Sequence, residues 1–462
     1  MVKWAIFCFT KLMSPNPMVL RKIRLEQSDT EIFTSHGGLT LLGQALELAR
    51  LKAQLKSLGR YQGMSHDDIL KTYLGLLCTG KSDFEAAEGA RTDPFFHAAL
   101  GIKQVPSAPR LRQRMDDRAL EYARAIDEAS IVLLERIQAQ VSPVWTGHVP
   151  LDLDLFPQDN SGTKKEGVSY TYKGYDGYGV MAAYLGTEGW CLTTDLKPGS
   201  ENGQLGFGFV LDRILPHARR LTHLPLLLRV DSGHDAVENR VRADSEETEF
   251  LIKWNPRKQS AEQWLGYAKS LGHWADWAHP RAGKRVVTFS VYETQVWQGR
   301  QYTHRRVMRV IERAIDKQGQ HLLVPQLQLD GWWTSLDLPD QEIIALYRDH
   351  ATSEQFHSEF KTDLDLERLP SGKFDTNTLV MALGTFVYNL LRWIGLAGLI
   401  GEGAPVRHRA KRRRLRTVMQ ELIYLAAKFR QRSRQLWLRF SAHCPAFEAF
   451  QRVQARLAGA CG

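Results

Sequence analysis

Cysteine is scarce in this chain: five residues in 462, at Cys8, Cys78, Cys191, Cys444 and Cys461. They are odd in number, far apart, and no two stand at metal-ligand spacing. That argues against a disulfide framework or a zinc finger and points to a reducing compartment. Long apolar runs are missing too. A membrane span needs roughly 18–20 apolar residues; the nearest candidate, Thr378–Ile400, is interrupted by Tyr388, Asn389 and Arg392 and reads as a buried core helix. Trp4–Phe9 is too short for a signal-peptide core and no small-residue cleavage site follows it. These absences predict a cytoplasmic protein. No period of 20–50 residues recurs, so a repeat architecture is not expected. Hydrophobic residues make up 43% and aromatics 10%, which excludes a disordered chain. At about 100–200 residues per domain, the length predicts two to four structural units.

Positive charge is plentiful, and it is unevenly placed. The chain has 61 Lys+Arg against 51 Asp+Glu, a net charge of +10. Between Arg407 and Arg439 there are twelve Lys/Arg, including Arg412, Arg413 and Arg414, and one acid, Glu421. That surplus of eleven exceeds the whole chain's, so the remainder is close to neutral. A block of this kind attracts polyanions and predicts salt-dependent nucleic-acid binding, with no information about base sequence.

Five regions follow from the patterning. Residues 1–144 read as helical: Leu39, Leu42, Ala45, Leu46 and Ala49 keep helical spacing, and Pro106–Arg114 suits the turn and recognition helix of a helix-turn-helix. In 145–253 the period changes to two. His148–Phe156 alternates apolar and polar, Gly179–Leu185 and Gly189–Leu196 are strand-like, and a helix near Leu205–Ala218 precedes the apolar run Leu224–Val230. A run that is apolar apart from Arg229 and bounded by turn residues predicts a buried, parallel strand, so the fold class is α/β with a mixed sheet. Residues 254–335 carry alternating runs and seven of the twelve tryptophans (Trp254, Trp264, Trp274, Trp277, Trp297, Trp332 and Trp333), a β-rich insertion. Helical patterning resumes over 336–400, and a basic helical region, 401–462, closes the chain.

The chemistry-bearing residues are acids at strand ends. Asp231 follows the apolar run at a Ser-Gly turn, and Asp154 shares a strand face with Asp152. Ligand sites in open α/β sheets gather at the C-terminal ends of strands, although Asp-Ser-Gly is also an ordinary turn. Further on, Tyr347, His350, Glu354 and Lys361 recur at offsets that share one helix face at 3.6 residues per turn. Such a face suits a site where Glu354 holds a metal while the other three meet phosphate oxygens.

This segment resembles the Y-x2-R-x3-E-x6-K signature of DDE transposases from bacterial insertion sequences, with His350 in place of the arginine. The resemblance extends to the His36-Gly-Gly-Leu start, the Leu-Asp-Leu-Asp strand, Asp231-Ser-Gly, and the later Asn377 and Tyr388-Asn-Leu-Leu. It implies a ribonuclease-H-like catalytic sheet interrupted by a β-rich insertion between the second Asp and the Glu. Asp154 (or Asp152), Asp231 and Glu354 would be the catalytic metal ligands for Mg²⁺ or Mn²⁺, in two ions. Tyr347, His350, Lys361 and the arginines Arg412, Arg413 and Arg414 would contact DNA. The implied partners are double-stranded DNA, as terminal inverted repeats and target, and a second copy of the chain in a homodimer on DNA. In related enzymes an insertion tryptophan stacks on a flipped base. Besides the histidine, one further departure stands out: Leu155 and Phe156 follow Asp154, where a small hydroxyl residue is common.

Two other readings remain open at this level. A decayed transposase would bind DNA without cutting it. A zinc hydrolase would use His350, Glu354 and His357, whose spacing permits three ligands on one helix, but it leaves the strand-end acids and the basic block unexplained.

Overall fold

The computed structural model describes residues 25–270, 278–316, 318–406, 408–432 and 435–460. Cys8, Trp4–Phe9, Trp274, Trp277, Arg407, Arg434 and Cys461 fall outside them. Thirteen strands form two sheets among the described residues. The first strand, β1 (Ile32–Thr34), belongs to the smaller one. The larger contains β2 (Val149–Asp159), β3 (Ser169–Tyr170), β4 (Asp176–Leu185), β5 (Trp190–Pro198), β6 (Leu226–Val230), β7 (Glu249–Lys253), β8 (Ala278–Arg281), β9 (Lys284–Trp297), β10 (Arg300–Ile315) and β11 (His321–Thr334).

β6 is Leu-Leu-Leu-Arg-Val and is buried throughout, because parallel strands lie on both sides of it and helices cover its faces. β2 runs parallel to β6 and antiparallel to β4, whose far edge takes β5 and, at its start, β3. The path continues β6–β7–β11–β10–β9–β8. The sheet is mixed, as its sequence patterning predicts.

The insertion is not a separate module. β11 pairs directly with β7, Trp332 opposite Lys253 and Trp333 opposite Ile252, so residues 278–334 extend the same sheet. Four of its described tryptophans stack with cations. Arg306 lies 4.8, 4.9 and 4.6 Å from the ring centres of Trp254, Trp264 and Trp333, and Lys253 lies 4.1 Å from that of Trp332. Trp254, Trp332 and Trp333 are buried and so not open to a flipped base, whereas Trp297 is half-buried.

The helix Phe374–Gly398 packs against the helix Ala119–Arg136 and β5. It is the one helix among the described residues long and apolar enough to cross a membrane, and it is almost wholly enclosed by the protein. At the other end of the chain the expected helical region differs. β12 (Ala427–Arg432) and β13 (Gln435–Phe440) form a hairpin that pairs with β1, before the helix Phe447–Gly459. The helix Ala108–Asp117 exists where a recognition helix was expected, but Arg114 points into the core and donates to the Met64 carbonyl at 2.8 Å.

The Gly37-Gly38 pair has a packing reason. The Gly37 and Gly38 amides donate to the carbonyls of Leu425 and Ile423 at 2.9 and 3.1 Å, locking the N-terminal helices onto the C-terminal segment. A Cβ on Gly38 would lie 2.0 Å from the Leu422 carbonyl oxygen and 2.5 Å from Ile423 Cα, both backbone atoms. Gly38→Ala is therefore expected to cost about 3 kcal/mol, the upper end of overpacking effects, read as a lowered midpoint in urea unfolding.

Candidate active site

The parallel register of β2 and β6 builds the site. Asp152 stands opposite Arg229 and Leu153 opposite Val230. One residue further, Asp154 on β2 and Asp231, the first residue past the end of β6, continue that register, and the charge of Asp231 is felt at Asp154. Because strand side chains alternate, the pairs Asp152–Arg229 and Asp154–Asp231 point to the same face of the sheet.

The first pair decides between the two acids of β2. Arg229 grips Asp152 through Nε and Nη2 at 2.6 and 2.7 Å, and its Nη1 donates to the Leu346 carbonyl at 2.8 Å. His350 Nδ1 adds a contact of 3.2 Å, off the line of a hydrogen bond, so the attraction is chiefly coulombic. Burial works to raise the Asp152 carboxyl, but Arg229 and His350 outweigh it and hold it below the ordinary carboxylate range. Asp152 is thus a buried structural partner, and its oxygens are taken. Burial alone would lower His350, but Asp152 reverses the effect and holds its pKa up. His350, expected at a phosphate, instead lies inside the protein against this acid.

Asp154 is in a different state. Burial pushes its carboxyl up to about 6, the charge of Asp231 adding to the rise and His350 partly opposing it. Ser353 donates to Asp154 Oδ2 at 3.3 Å, and His357 Nδ1 lies 3.7 Å away. Burial pushes the His357 imidazole down to about 3, so it is neutral, stacked on Phe156 with ring centres 4.4 Å apart. Asp231 begins a tight turn. Its Oδ1 accepts from the Gly233 amide at 3.0 Å and lies 2.8 Å from His234 Nδ1, and these contacts outweigh burial to keep it ionised.

Glu354 stands in the first turn of the helix Ser353–Ser358, which packs on β2. Its side chain is exposed, whereas Ser353 and His357 from the same helix are the groups that reach Asp154. Among the described residues, no three His, Cys, Asp or Glu side chains are gathered for a metal, so neither the carboxylate trio nor the His350–Glu354–His357 trio is assembled. Two adjacent carboxylates, one with a raised pKa, are nonetheless the donor chemistry that a hard divalent cation relieves.

Tyr347 is half-buried, with its ring centre 5.6 Å from that of His350. Burial raises its phenol, and the charges of Asp231, Asp154 and Asp152 raise it further, so it stays a neutral donor beside the acids. Lys361 lies on a π-turn, Glu359–Asp363, and pairs with Glu367 at 3.0 Å. The three arginines of the basic block are engaged within the chain. Arg412 donates to Gln355 and covers the Phe356 ring, Arg413 donates to the Leu399 carbonyl at 3.0 Å, and Arg414 pairs with Asp363 at 2.9 Å.

One neighbour escaped sequence reading. Tyr172, on the loop between β3 and β4, donates to the Leu155 carbonyl at 3.2 Å while its side chain remains largely exposed. Burial of the hydroxyl, with the charges of Asp154 and Asp231, pushes it up to about 12. The only sequence signal was the aromatic run Tyr170-Thr-Tyr172, which has no fixed distance to either acid in the chain.

A family model described as "Transposase DDE domain group 1" matches residues 16–460. None of the curated proteins compared matches the sequence. Six chains of solved structures do. One, from a cryo-EM structure of a piggyBac transposase synaptic complex with hairpin DNA, is 11% identical with a TM-score of 0.41. That similarity covers 84% of this chain and 79% of the other.

Proposed function

Because the chain belongs to the family of DDE transposases, group 1, we propose that it binds insertion-sequence ends and catalyses metal-dependent strand cleavage and strand transfer. The observation that carries this reading is the juxtaposition of Asp154 and Asp231 at adjacent parallel strands, with the helix of Glu354 laid across β2. The strand order β5–β4–β2–β6–β7, with β2, β6 and β7 mutually parallel, supports a ribonuclease-H-like description of the catalytic sheet.

Asp154 and Asp231 would hold the cation, with Glu354 as the third ligand from the helix rim. A pair of Mg²⁺ or Mn²⁺ ions would supply activation of a water or 3′-hydroxyl and stabilisation of the leaving oxygen. The chain's own groups do the rest. Tyr347, kept protonated by burial and by the acids around it, would donate a hydrogen bond to a phosphate oxygen. Ser353 and the neutral His357 orient Asp154, and His234 orients Asp231. Arg229 fixes the register of β2 against β6 and ties both to the end of the helix Asp340–Arg348. Two DNA ends brought together imply a homodimer on DNA.

The direct test uses duplex DNA taken from both flanks of the coding region, chosen for short inverted repeats. The expected result is strand cleavage at the repeat ends that EDTA abolishes and Mg²⁺ or Mn²⁺ restores. Binding of the same duplex without any metal-dependent cleavage would overturn the enzymatic reading and leave a DNA-binding protein.

A further inference from the structure

We propose that the outer face of the small sheet β1–β12–β13 is a binding site for unpaired DNA, built on Trp437 and the arginines around it. It rests on the transposase reading only in taking DNA as the polyanion; the surface itself is independent of the acidic site.

The register defines the face. Lys428 pairs with Arg439, Arg430 with Trp437 and Arg432 with Gln435, while Phe33 of β1 stands opposite Lys428. Since alternate residues share a face, all of these point the same way. The intervening residues point inward: Phe429 is buried, and Leu436, Leu438 and Phe440 pack on the core. The outward face is therefore not spare hydrophobic surface. It is a set of cations with two aromatic rings among them, Trp437 at 58% exposure and Phe33 at 63%.

Charge on this face is nearly all of one sign. Lys428 pairs with Glu31, whose carboxyl is held low chiefly by that contact and also by Arg430 and Arg439. Arg430, Arg432 and Arg439 have no carboxylate within ion-pairing distance among the described residues. A groove of about 730 Å³ runs beside β13, lined by Lys428, Arg430, Arg432, Trp437 and Arg439 and closed by the start of the helix Phe447–Gly459, where Glu448 is the single acid against four cations. This contrasts with Arg412, Arg413 and Arg414, which earlier in the same basic block serve the fold.

The combination selects the ligand. Free guanidinium groups attract phosphates of any nucleic acid. An exposed indole flanked by arginines gains little from a duplex, whose base faces are already stacked, but it accepts the face of an unpaired base. Single-stranded or locally opened DNA satisfies both features at once.

The test measures fluorescence anisotropy of a labelled oligothymidine about 20 nucleotides long and of a duplex of equal length, using the full-length protein. Trp437→Ala is expected to weaken single-strand binding about 5- to 100-fold and to change duplex binding by about twofold or less. Trp437→Phe should keep most of the affinity, which separates stacking from misfolding. Arg430→Gln with Arg439→Gln should lower the slope of log affinity against log salt by about 1.4, two single-strand phosphates. Unchanged single-strand affinity in Trp437→Ala overturns the proposal, and so does an equal loss on the duplex, which would mark a contact to phosphates alone. If the wild type still cleaves inverted-repeat DNA with Mg²⁺ in either case, only this proposal falls. A wild type that neither binds nor cleaves DNA overturns the functional reading as well.

Discussion

Asp231→Asn is expected to lower metal-dependent strand cleavage by at least about a thousandfold, some 4 kcal/mol of barrier, with the fold intact. The substitution keeps the shape of the side chain. Its oxygen can still accept from the Gly233 amide, so the turn after β6 keeps its geometry. What it loses is the charge that a divalent cation needs from one of two adjacent carboxylates. DNA affinity should stay within a few-fold and the unfolding midpoint should hardly move. Cleavage within tenfold of wild type would remove Asp231 from the chemistry. Glu354→Gln is expected to give a comparable loss with no change in stability, because its side chain is exposed. If Asp231→Asn is dead and Glu354→Gln is active, the third ligand lies elsewhere.

Arg229→Met should destabilise the protein by about 3–5 kcal/mol, measured as a shift of the guanidinium chloride midpoint. The variant leaves Asp152, 5% exposed, with His350 as its remaining partner, and frees the Leu346 carbonyl. The cost comes from an uncompensated buried charge more than from a lost attraction. Pairing it with Asp152→Leu should therefore recover most of the loss. The pH dependence has a definite sign. Asp152 is held below its ordinary value in the folded protein, so its stabilisation is present above the ordinary carboxylate range and is lost as pH falls through the depressed value. In Arg229→Met this acid-side loss should shrink. A single variant as stable as the wild type would contradict the account of Asp152 as a gripped, structural acid.

Much of the sheet was legible because its signals are local. Alternation in β2 and the apolar run of β6 mark both strands, and the parallel register then forces the acids that end the run together. In the sequence Asp154 is preferred to Asp152 only for its place nearer the strand end, since the partner that occupies Asp152, Arg229, lies 77 residues away. The helix face predicted for Tyr347, His350, Glu354 and Lys361 assumes 3.6 residues per turn, and the 3-10 turn Asp349–Thr352 and the π-turn Glu359–Asp363 both break that assumption. In the basic block, charge density masked a period of two. Lys428-Phe429-Arg430 and Leu436-Trp437-Leu438-Arg439-Phe440 alternate as strands do, but a run of cations was read as a helix surface. Arg412, Arg413 and Arg414 show the converse, since cations crowded in sequence can serve as internal clamps on carbonyls and acids of the fold.

The direct pairing of β11 with β7 bears on how the protein could be shortened. β7 has β6 on one edge and β11 on the other, and its Leu251 and Ile252 are fully enclosed. Excising residues 254–334 would not trim an appendage. It would leave a raw apolar margin on the strand next to β6, and such margins recruit further chains edge to edge. A miniaturised version should therefore come out of cells as aggregate unless a capping strand, or lysines placed along β7, replaces what β11 now covers.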